Sequence, residues 1–263
     1  MLETRRFLYI HIPKTGGTSV TSFLKKVIPN ENISWHKCED EGCHPSNPIH
    51  YYATHEKYWR YLVWMHRDSN PLTAGRDRGR DIIATIRNPF GWYLSNYLML
   101  DRLDNPTKSK PKSFKHYVME ESIEHDKASA AQYGQEGWSM GHWTSKLDKP
   151  GYYTNELARY TFDTDPATLG LTAGNCPHFF KEHCAVQFWF KLEALGASDG
   201  FAGYINYLHP NLLGPMNEED FPRKNIASNK NKSTIEYYDN EMIDTLLKRE
   251  EFVFKTFSYG VPS

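Results

Sequence analysis

The chain has 263 residues, of which 39% are hydrophobic, 31 are basic and 32 are acidic, so its formal net charge is −1. This length suits one well-buried core with a substantial insertion better than two independent cores, which predicts a single domain over 1–263. The balanced charge excludes a global electrostatic field that would recruit nucleic acid or an anionic membrane, so any anion site must be local.

The start of the chain and its cysteine content predict a soluble cytoplasmic protein. The opening "MLETRRFLYIHI" has too few apolar residues before the following proline for a signal-peptide core. No stretch approaches the roughly 20 apolar residues that span a bilayer. The cysteines are sparse and fit reduced thiols better than a disulfide framework; they are Cys38, Cys43, Cys176 and Cys184.

The first predicted elements are a strand and a helix on either side of a glycine turn. Residues 5–12 are a short aromatic and β-branched run ended by Pro13, which is typical of a buried strand. Apolar residues then recur at helical spacing over 18–28, with Pro29 beyond them as a stop. Residues 29–48 have no periodicity and are predicted to form a loop.

A second strand, turn and helix follow in the same order. A strand candidate over 49–55 ends at His55. The run "DIIATI" over 81–86 predicts a buried strand, which the Arg-Asn-Pro of 87–89 breaks before a helical pattern over 91–103.

The second half of the chain continues the alternation after an insertion. Residues 104–180 are predicted to be substrate-facing, with one helix over 113–123. A strand over 185–192, a helix near 198–208 and one long final helix over 233–257 complete the chain. Alternating strands and helices predict an α/β fold with a parallel sheet covered by helices on both faces.

The stretch "HIPKTGGTS" lies between the first strand and the first helix and predicts an anion site. The first N–H groups of a helix have no partner inside it, and the helix dipole favours negative charge there. Gly16 and Gly17 let the backbone curl round an oxyanion, Thr18 and Ser19 add hydroxyl donors, and Lys14 supplies a positive charge. His11, at the strand end, is expected to pack rather than to react.

The order of residues in this loop differs from the standard triphosphate loop. In G-x-x-x-x-G-K-[ST] the lysine follows the last glycine, and the next hydroxyl holds magnesium. Here Lys14 precedes both glycines, and no acidic strand end offers magnesium a second partner. The pattern therefore favours phosphate binding without a metal.

A second anion site is predicted after the strand over 81–86. Arg87 lies at the strand end, and Ser95 lies about two helical turns later. A guanidinium fork and a hydroxyl suit a second phosphate. Two such sites at the carboxyl ends of parallel strands suit a nucleotide that carries phosphates at two places.

These motifs resemble those of the sulfotransferases that use 3'-phosphoadenosine 5'-phosphosulfate (PAPS), particularly the carbohydrate and heparan-sulfate-like branch. In that family "xxPKTGGTS" binds the 5'-phosphosulfate, and "R-[DN]-P-x-x-x-x-x-S-x-Y" binds the 3'-phosphate. This chain has both motifs, in order, and similar C-terminal stretches in "FWFKLEAL" and "RKNIASNKNKS". The resemblance implies a P-loop-like sheet and, because the chain starts at the first strand, a soluble bacterial enzyme that acts on a small molecule.

The resemblance also implies roles for single residues. Lys14 would meet the leaving oxygen, and the residues from Thr15 to Ser19 would bind the 5'-phosphate. Arg87 and Ser95 would hold the 3'-phosphate. Two interpretations are open for a later group of polar residues: a loop that closes on the adenosine phosphate, or an ordinary surface loop. These residues are Lys224, Asn225, Ser228 and Lys230.

An acceptor must lose a proton as it attacks, so the sequence should also supply a general base. His55 is the candidate because it follows the second predicted strand, and Glu56 is the runner-up. The clusters "CEDEGCH" and "CPHFFKEHC" lack the tight C-x2-C spacing of structural zinc sites, so no metal is expected.

The sequence thus predicts sulfuryl transfer from PAPS to a hydroxyl or amine of a small-molecule acceptor, with release of adenosine 3',5'-bisphosphate (PAP). Aromatic residues such as Tyr153, beside acids such as Glu156, suit a natural product or a carbohydrate as that acceptor. Two alternatives stay open: a P-loop nucleotide kinase that needs magnesium, and a nucleotide-binding module without catalysis.

Overall fold

A computed structural model describes the following residues of the chain: 2–4, 6–28, 34–35, 79–102, 113–121, 150–163, 169–210, 221–222 and 232–262. The chain divides into two compact units, each built from three separated segments. The first unit comprises Met1–Arg87, Arg159–Asp165 and His183–Ile226. The second unit comprises Asn88–Ala158, Pro166–Glu182 and Ala227–Ser263.

The first unit contains a five-stranded mixed sheet. Its strands are β1 (Leu2–Glu3), β2 (Phe7–Ile10), β3 (Ser34–Trp35), β4 (Asp81–Ile86) and β5 (Phe188–Lys191), in the order β3-β1-β2-β4-β5. The strands β2, β4 and β5 are parallel, as the sequence predicts, whereas β1 is antiparallel to both of its neighbours. The short strands β1 and β3 were not predicted, because two residues carry no period.

The parallel strands β2 and β4 are buried on both faces, as their continuous hydrophobic runs predict. All four residues of β2 are buried, and so are the last five residues of β4. Leu8 pairs with Ile82, and Ile10 pairs with Ala84. The carboxyl ends of β2 and β4 therefore lie at the same edge of the sheet.

Eight α-helices are described. They are α1 (Gly17–Val27), α2 (Pro89–Arg102), α3 (Phe114–His116), α4 (Tyr152–Thr161), α5 (Cys176–His183), α6 (Phe201–Leu208), α7 (Asn240–Arg249) and α8 (Glu251–Thr256). The predicted helices over 18–28, 91–103 and 198–208 correspond to α1, α2 and α6. Among the described residues, no helix combines the length and apolarity needed to cross a membrane.

One face of the sheet packs against α1 and α6. Alternate strand residues point to this face, as period-two geometry requires. The shared core consists of Phe7, Tyr9, Ile83 and Phe190 from the strands, Val20, Phe23 and Leu24 from α1, and Phe201 and Ile205 from α6. This packing fixes where α1 begins relative to the end of β2.

The second unit has an aromatic core. Trp92 stacks on Tyr153 with ring centroids 4.5 Å apart, and Phe90 meets Tyr238 edge-on at 5.0 Å. Tyr153 is completely buried, and Glu156 is only 5% exposed. These two residues therefore belong to the core of the second unit.

The predicted single helix over 233–257 is also wrong, because the chain there forms three shorter pieces. A 3-10 turn over Thr234–Tyr237 has a capping box between Ser233 and Glu236. Asp239 then caps α7 by accepting a hydrogen bond from the Met242 N–H at 2.9 Å. Glu250 ends α7, and its side chain turns into the interior of the second unit.

The predicted helix over 113–123 is regular only at its start. It becomes a π-helical turn over Tyr117–Glu121. The Arg249 guanidinium donates hydrogen bonds of 3.1 Å to the carbonyl oxygens of Val118 and Met119. These bonds join residues 131 and 130 positions apart, so no local pattern could indicate them.

Candidate functional site

The loop between β2 and α1 has two residues in the left-handed region of backbone space. Lys14 has φ 68°, and Gly16 has φ 93°. Gly16 is the N-cap of α1 without a side-chain cap, and the first turn of α1 has no acidic residue. The turn leads directly into the first turn of α1, where the Ser19 N–H donates to the Gly16 carbonyl oxygen at 2.9 Å. Turns of this kind before a helix N-terminus are typical of anion-binding loops.

A chain of buried hydroxyl groups fixes this loop to β4. Thr15 Oγ1 donates to the Ile12 carbonyl oxygen at 2.8 Å, so its contact with Thr85 Oγ1 at 2.9 Å must be accepted from Thr85. Thr85 in turn accepts from the Tyr9 hydroxyl at 2.9 Å. The Thr15 hydroxyl proton is thus used inside the protein, and its side chain serves to hold the loop.

Both glycines of the loop are closely approached by other side chains. A Cβ at Gly16 would overlap Leu192, which follows β5, and the positive φ of Gly16 also disfavours any other residue. A Cβ at Gly17 would overlap the imidazole of His11. Gly16 is therefore required both by backbone conformation and by packing, whereas Gly17 is required by packing alone, a difference that the sequence motif does not show.

His11 packs beneath the start of α1, as expected from the sequence. Its ring stacks on Tyr9 with centroids 6.4 Å apart. Burial lowers the pKa of His11 to about 3, and the positive charge of Lys14 acts in the same direction. His11 is therefore neutral near pH 7 and is too weak a base to take a proton from an acceptor.

Arg87 and Lys14 come together because they follow neighbouring parallel strands. Arg87 is half-buried, and its Nη1 donates to the carbonyl oxygen of Lys14 at 3.3 Å. Two positively charged side chains thus belong to the same edge of the sheet. Lys191 ends β5 opposite Ile86 and adds a third cationic residue to this edge, which the sequence reasoning did not single out.

Of the other predicted site residues, the structure describes three. Thr18 and Ser19 lie in the first turn of α1, and Ser95 lies in the second turn of α2, within the second unit. The proposed base residues His55 and Glu56 lie outside the described residues. The same holds for the predicted closing loop, namely Lys224, Asn225, Ser228 and Lys230.

Thr85 and Tyr9 are positioning residues that the sequence reasoning missed. Both look like ordinary strand residues in "DIIATI" and "FLYI". The available signal was a threonine at an inward position of a fully buried strand, because a buried hydroxyl needs a hydrogen-bond partner. The partner itself, 70 residues away, could not be identified from the pattern.

The part of the chain that the structure describes holds no group of three or more His, Cys, Asp or Glu side chains that could bind a metal ion. Cys176 and Cys184 are free thiols there. Burial raises the pKa of Cys176 to about 12, so it stays protonated. Cys38 and Cys43 lie outside the described residues.

Comparison with known proteins gives no match. No protein-family model matches the chain. No curated protein and no solved structure matches it either. Support for a function therefore lies in the motifs and in the geometry of the loop between β2 and α1.

Proposed function

We propose that the protein is a PAPS-dependent sulfotransferase that transfers the sulfuryl group to a hydroxyl or amine of a small-molecule acceptor and releases PAP. The observation that carries this proposal is the loop at Lys14: a left-handed lysine, a left-handed glycine and the start of α1, with Arg87 at 3.3 Å from the Lys14 carbonyl oxygen. The proposal includes a P-loop-like fold and a cytoplasmic location, which rest on the sequence.

The loop suits the 5'-phosphosulfate of the donor. The N–H groups of Gly16, Gly17 and Thr18 would bind the 5'-phosphate oxygens, assisted by the helix dipole. Lys14 would lie beside the oxygen that bridges phosphorus and sulfur. Arg87 would bind the 3'-phosphate, since a guanidinium fork matches phosphate geometry, and the contribution of Ser95 stays a sequence prediction.

The reaction would be an in-line displacement at sulfur. The acceptor oxygen or nitrogen forms a bond to sulfur while the bond from sulfur to the 5'-phosphate oxygen breaks. The electron pair of that bond goes to the phosphate oxygen of PAP, where the Lys14 ammonium stabilises the charge. The acceptor proton goes to a general base, for which His55 or Glu56 remains the candidate.

The loop geometry favours this reaction over a magnesium-dependent kinase. In a standard triphosphate loop, the hydroxyl that follows the lysine binds magnesium. Here that residue is Thr15, which is completely buried, and its hydroxyl donates to Ile12 and accepts from Thr85. A metal could reach this oxygen only if the packing around the buried Thr15 side chain opened.

The proposal is tested by incubating the protein with labelled PAPS and a panel of hydroxyl- and amine-bearing acceptors, without added metal. We expect one acceptor class to gain the mass of a sulfuryl group. Lys14→Ala should abolish this transfer, whereas Lys25→Ala, at the exposed far end of α1, should leave it intact. Magnesium-dependent ATP turnover would favour the kinase, and tight PAP binding without transfer to any acceptor would favour a non-catalytic module.

A further inference from the structure

The hydrogen bond from Arg87 to Lys14 joins the two predicted phosphate-binding motifs directly. Its acceptor is the main-chain oxygen of Lys14, and its donor follows the central parallel strand β4. Binding of the 3'-phosphate does not by itself explain a hydrogen bond to the backbone of the loop that binds the 5'-phosphate. We therefore consider what this bond does for the loop.

The carbonyl groups of an anion-binding loop must point away from the anion, or they would repel it. Each carbonyl that is turned away needs a donor elsewhere in the protein. In this loop the Ile12 oxygen receives the Thr15 hydroxyl at 2.8 Å, and the Gly16 oxygen receives the Ser19 N–H at 2.9 Å. The Lys14 oxygen receives Arg87 at 3.3 Å.

The backbone of Lys14 is the part of the loop that most needs such support. Lys14 has φ 68°, a conformation that residues with a Cβ adopt only at a cost in free energy. If its peptide group turned over, the carbonyl oxygen would move towards the anion, and the Lys14 side chain would be aimed differently. The bond from Arg87 opposes this rotation because it holds the oxygen.

We propose that Arg87 is a positioning residue for Lys14, in addition to any contact with the 3'-phosphate. This inference rests on the proposed sulfuryl transfer. It predicts that Arg87 affects the rate even when the donor nucleotide has no 3'-phosphate, because Lys14 must still be aimed at the leaving oxygen. A guanidinium has five N–H donors in a rigid fork, so one of them can bind the carbonyl while others face a phosphate.

The experiment compares two sulfuryl donors, PAPS and adenosine 5'-phosphosulfate, which lacks the 3'-phosphate. For Arg87→Ala we expect kcat with adenosine 5'-phosphosulfate to fall by about tenfold or more, since small misplacements of a catalytic group have effects of this size. Arg80→Ala is the matched control, because it removes an arginine from the opposite end of the same strand. It should leave kcat unchanged.

A second variant and a measurement without ligand distinguish a change at the loop from unfolding of Arg87→Ala. Arg87→Lys keeps the positive charge but lacks the rigid fork, so kcat with adenosine 5'-phosphosulfate, the donor without a 3'-phosphate, should still fall. In the ligand-free protein, the amide NMR signals of Lys14, Thr15 and Gly16 should move in Arg87→Ala and stay in place in Arg80→Ala.

The outcomes separate this inference from the function on which it rests. If Arg87→Ala raises KM for PAPS but leaves both kcat with adenosine 5'-phosphosulfate and the loop signals unchanged, Arg87 acts on the 3'-phosphate alone and the positioning role is overturned. If the native protein transfers sulfate from neither donor, the proposed function fails. In that case Arg87 has no positioning role in catalysis, even if the amide signals of the loop move in Arg87→Ala.

Discussion

The N-termini of α4 and α1 differ in whether the protein itself supplies a negatively charged partner. At α4, the N–H groups of Tyr153 and Thr154 each donate a 2.9 Å hydrogen bond to the carboxylate of Glu250. At α1, the N-cap is Gly16, and neither a side-chain cap nor an acidic residue in the first turn is present. The chain thus supplies its own anion to one helix and offers the other a glycine turn and a lysine. The difference assigns the start of α4 to stability and is consistent with the ligand site proposed for the start of α1.

The charged groups near the two helix N-termini also differ. Glu250 is completely buried and receives two further bonds, from the Tyr93 hydroxyl at 2.7 Å and the Thr154 hydroxyl at 2.6 Å. Burial raises the pKa of Glu250, while these bonds oppose the increase. Near α1 the fixed charge is positive, and His11 cannot take up a proton until about pH 3. The start of α4 thus contains its own counter-charge in Glu250, whereas Lys14 and Arg87 bring positive charge to the edge of the sheet beside α1.

The largest expected effect comes from changing Glu250. Glu250→Ala leaves buried donors without a partner and should lower the free energy of unfolding by on the order of 3 kcal/mol. Glu250→Gln should not restore the lost stability. Each carboxylate oxygen of Glu250 accepts one backbone N–H, so in either orientation the NH₂ group of glutamine would face a donor. Denaturant titration measures both. The exposed neighbour Glu251→Gln should cost no more than about 0.5 kcal/mol, and equal losses at both positions would contradict the assignment of the start of α4 to stability.

A matched pair of glycine substitutions separates the two helix ends by function. A Cβ at Gly151 would overlap Glu250, and a Cβ at Gly17 would overlap His11. Both alanine variants should lose about 1–3 kcal/mol of stability, as overpacked sites do. Only Gly17→Ala should also weaken PAP binding when both are assayed as folded protein by calorimetry. Weaker binding in Gly151→Ala of the same size would remove the distinction.

The next effect is a pH dependence from His11. The unfolded chain binds a proton at this histidine below its ordinary pKa of 6.5, whereas the folded protein does so only near 3. The stabilisation is therefore present above pH 6.5 and is lost as the pH falls. Between about pH 7 and about pH 5.5, His11 should lower the free energy of unfolding by about 1 kcal/mol. His11→Gln should remove this part of the slope. A slope that stays unchanged in His11→Gln would contradict the lowered pKa of His11.

The smallest effect concerns the strained backbone of Lys14. Lys14→Gly should be more stable than Lys14→Ala by about 1 kcal/mol, because glycine tolerates φ 68° and alanine does not. Neither variant should transfer sulfate. Thermal unfolding of the two proteins makes the comparison, and a more stable alanine variant would mean that the left-handed conformation is not kept in solution.

The sequence predicted those elements whose pattern is local. The apolar periods of β2, β4, α1 and α2 stand next to their own stop signals, Pro13, Pro29 and Arg87-Asn88-Pro89. The break in the last helix could have been predicted in part. Ser233 with Glu236 and Asp239 are ordinary capping signals within a few residues of the turns that they stabilise.

The helix α4 and the turn at Glu250 could not be predicted in this way. The carboxylate that caps α4 lies 96 residues further along the chain, at Glu250. Its Tyr93 partner is 157 residues distant. At the candidate site, the sequence indicated Lys14, the glycines and Arg87. The hydroxyl chain through Thr85 and the bond from Arg87 to the Lys14 carbonyl depend on strand register, which the pattern does not specify.

The most direct measurement follows the backbone amides of α1 while PAP is added. In nitrogen-labelled protein, the N–H signals of Gly16, Gly17 and Thr18 should shift in a saturable way, while those of Tyr153 and Thr154, already bonded to Glu250, should stay in place. If PAP leaves the three loop signals unmoved, or shifts only signals elsewhere, the start of α1 is not the nucleotide site and the proposed function loses its structural support.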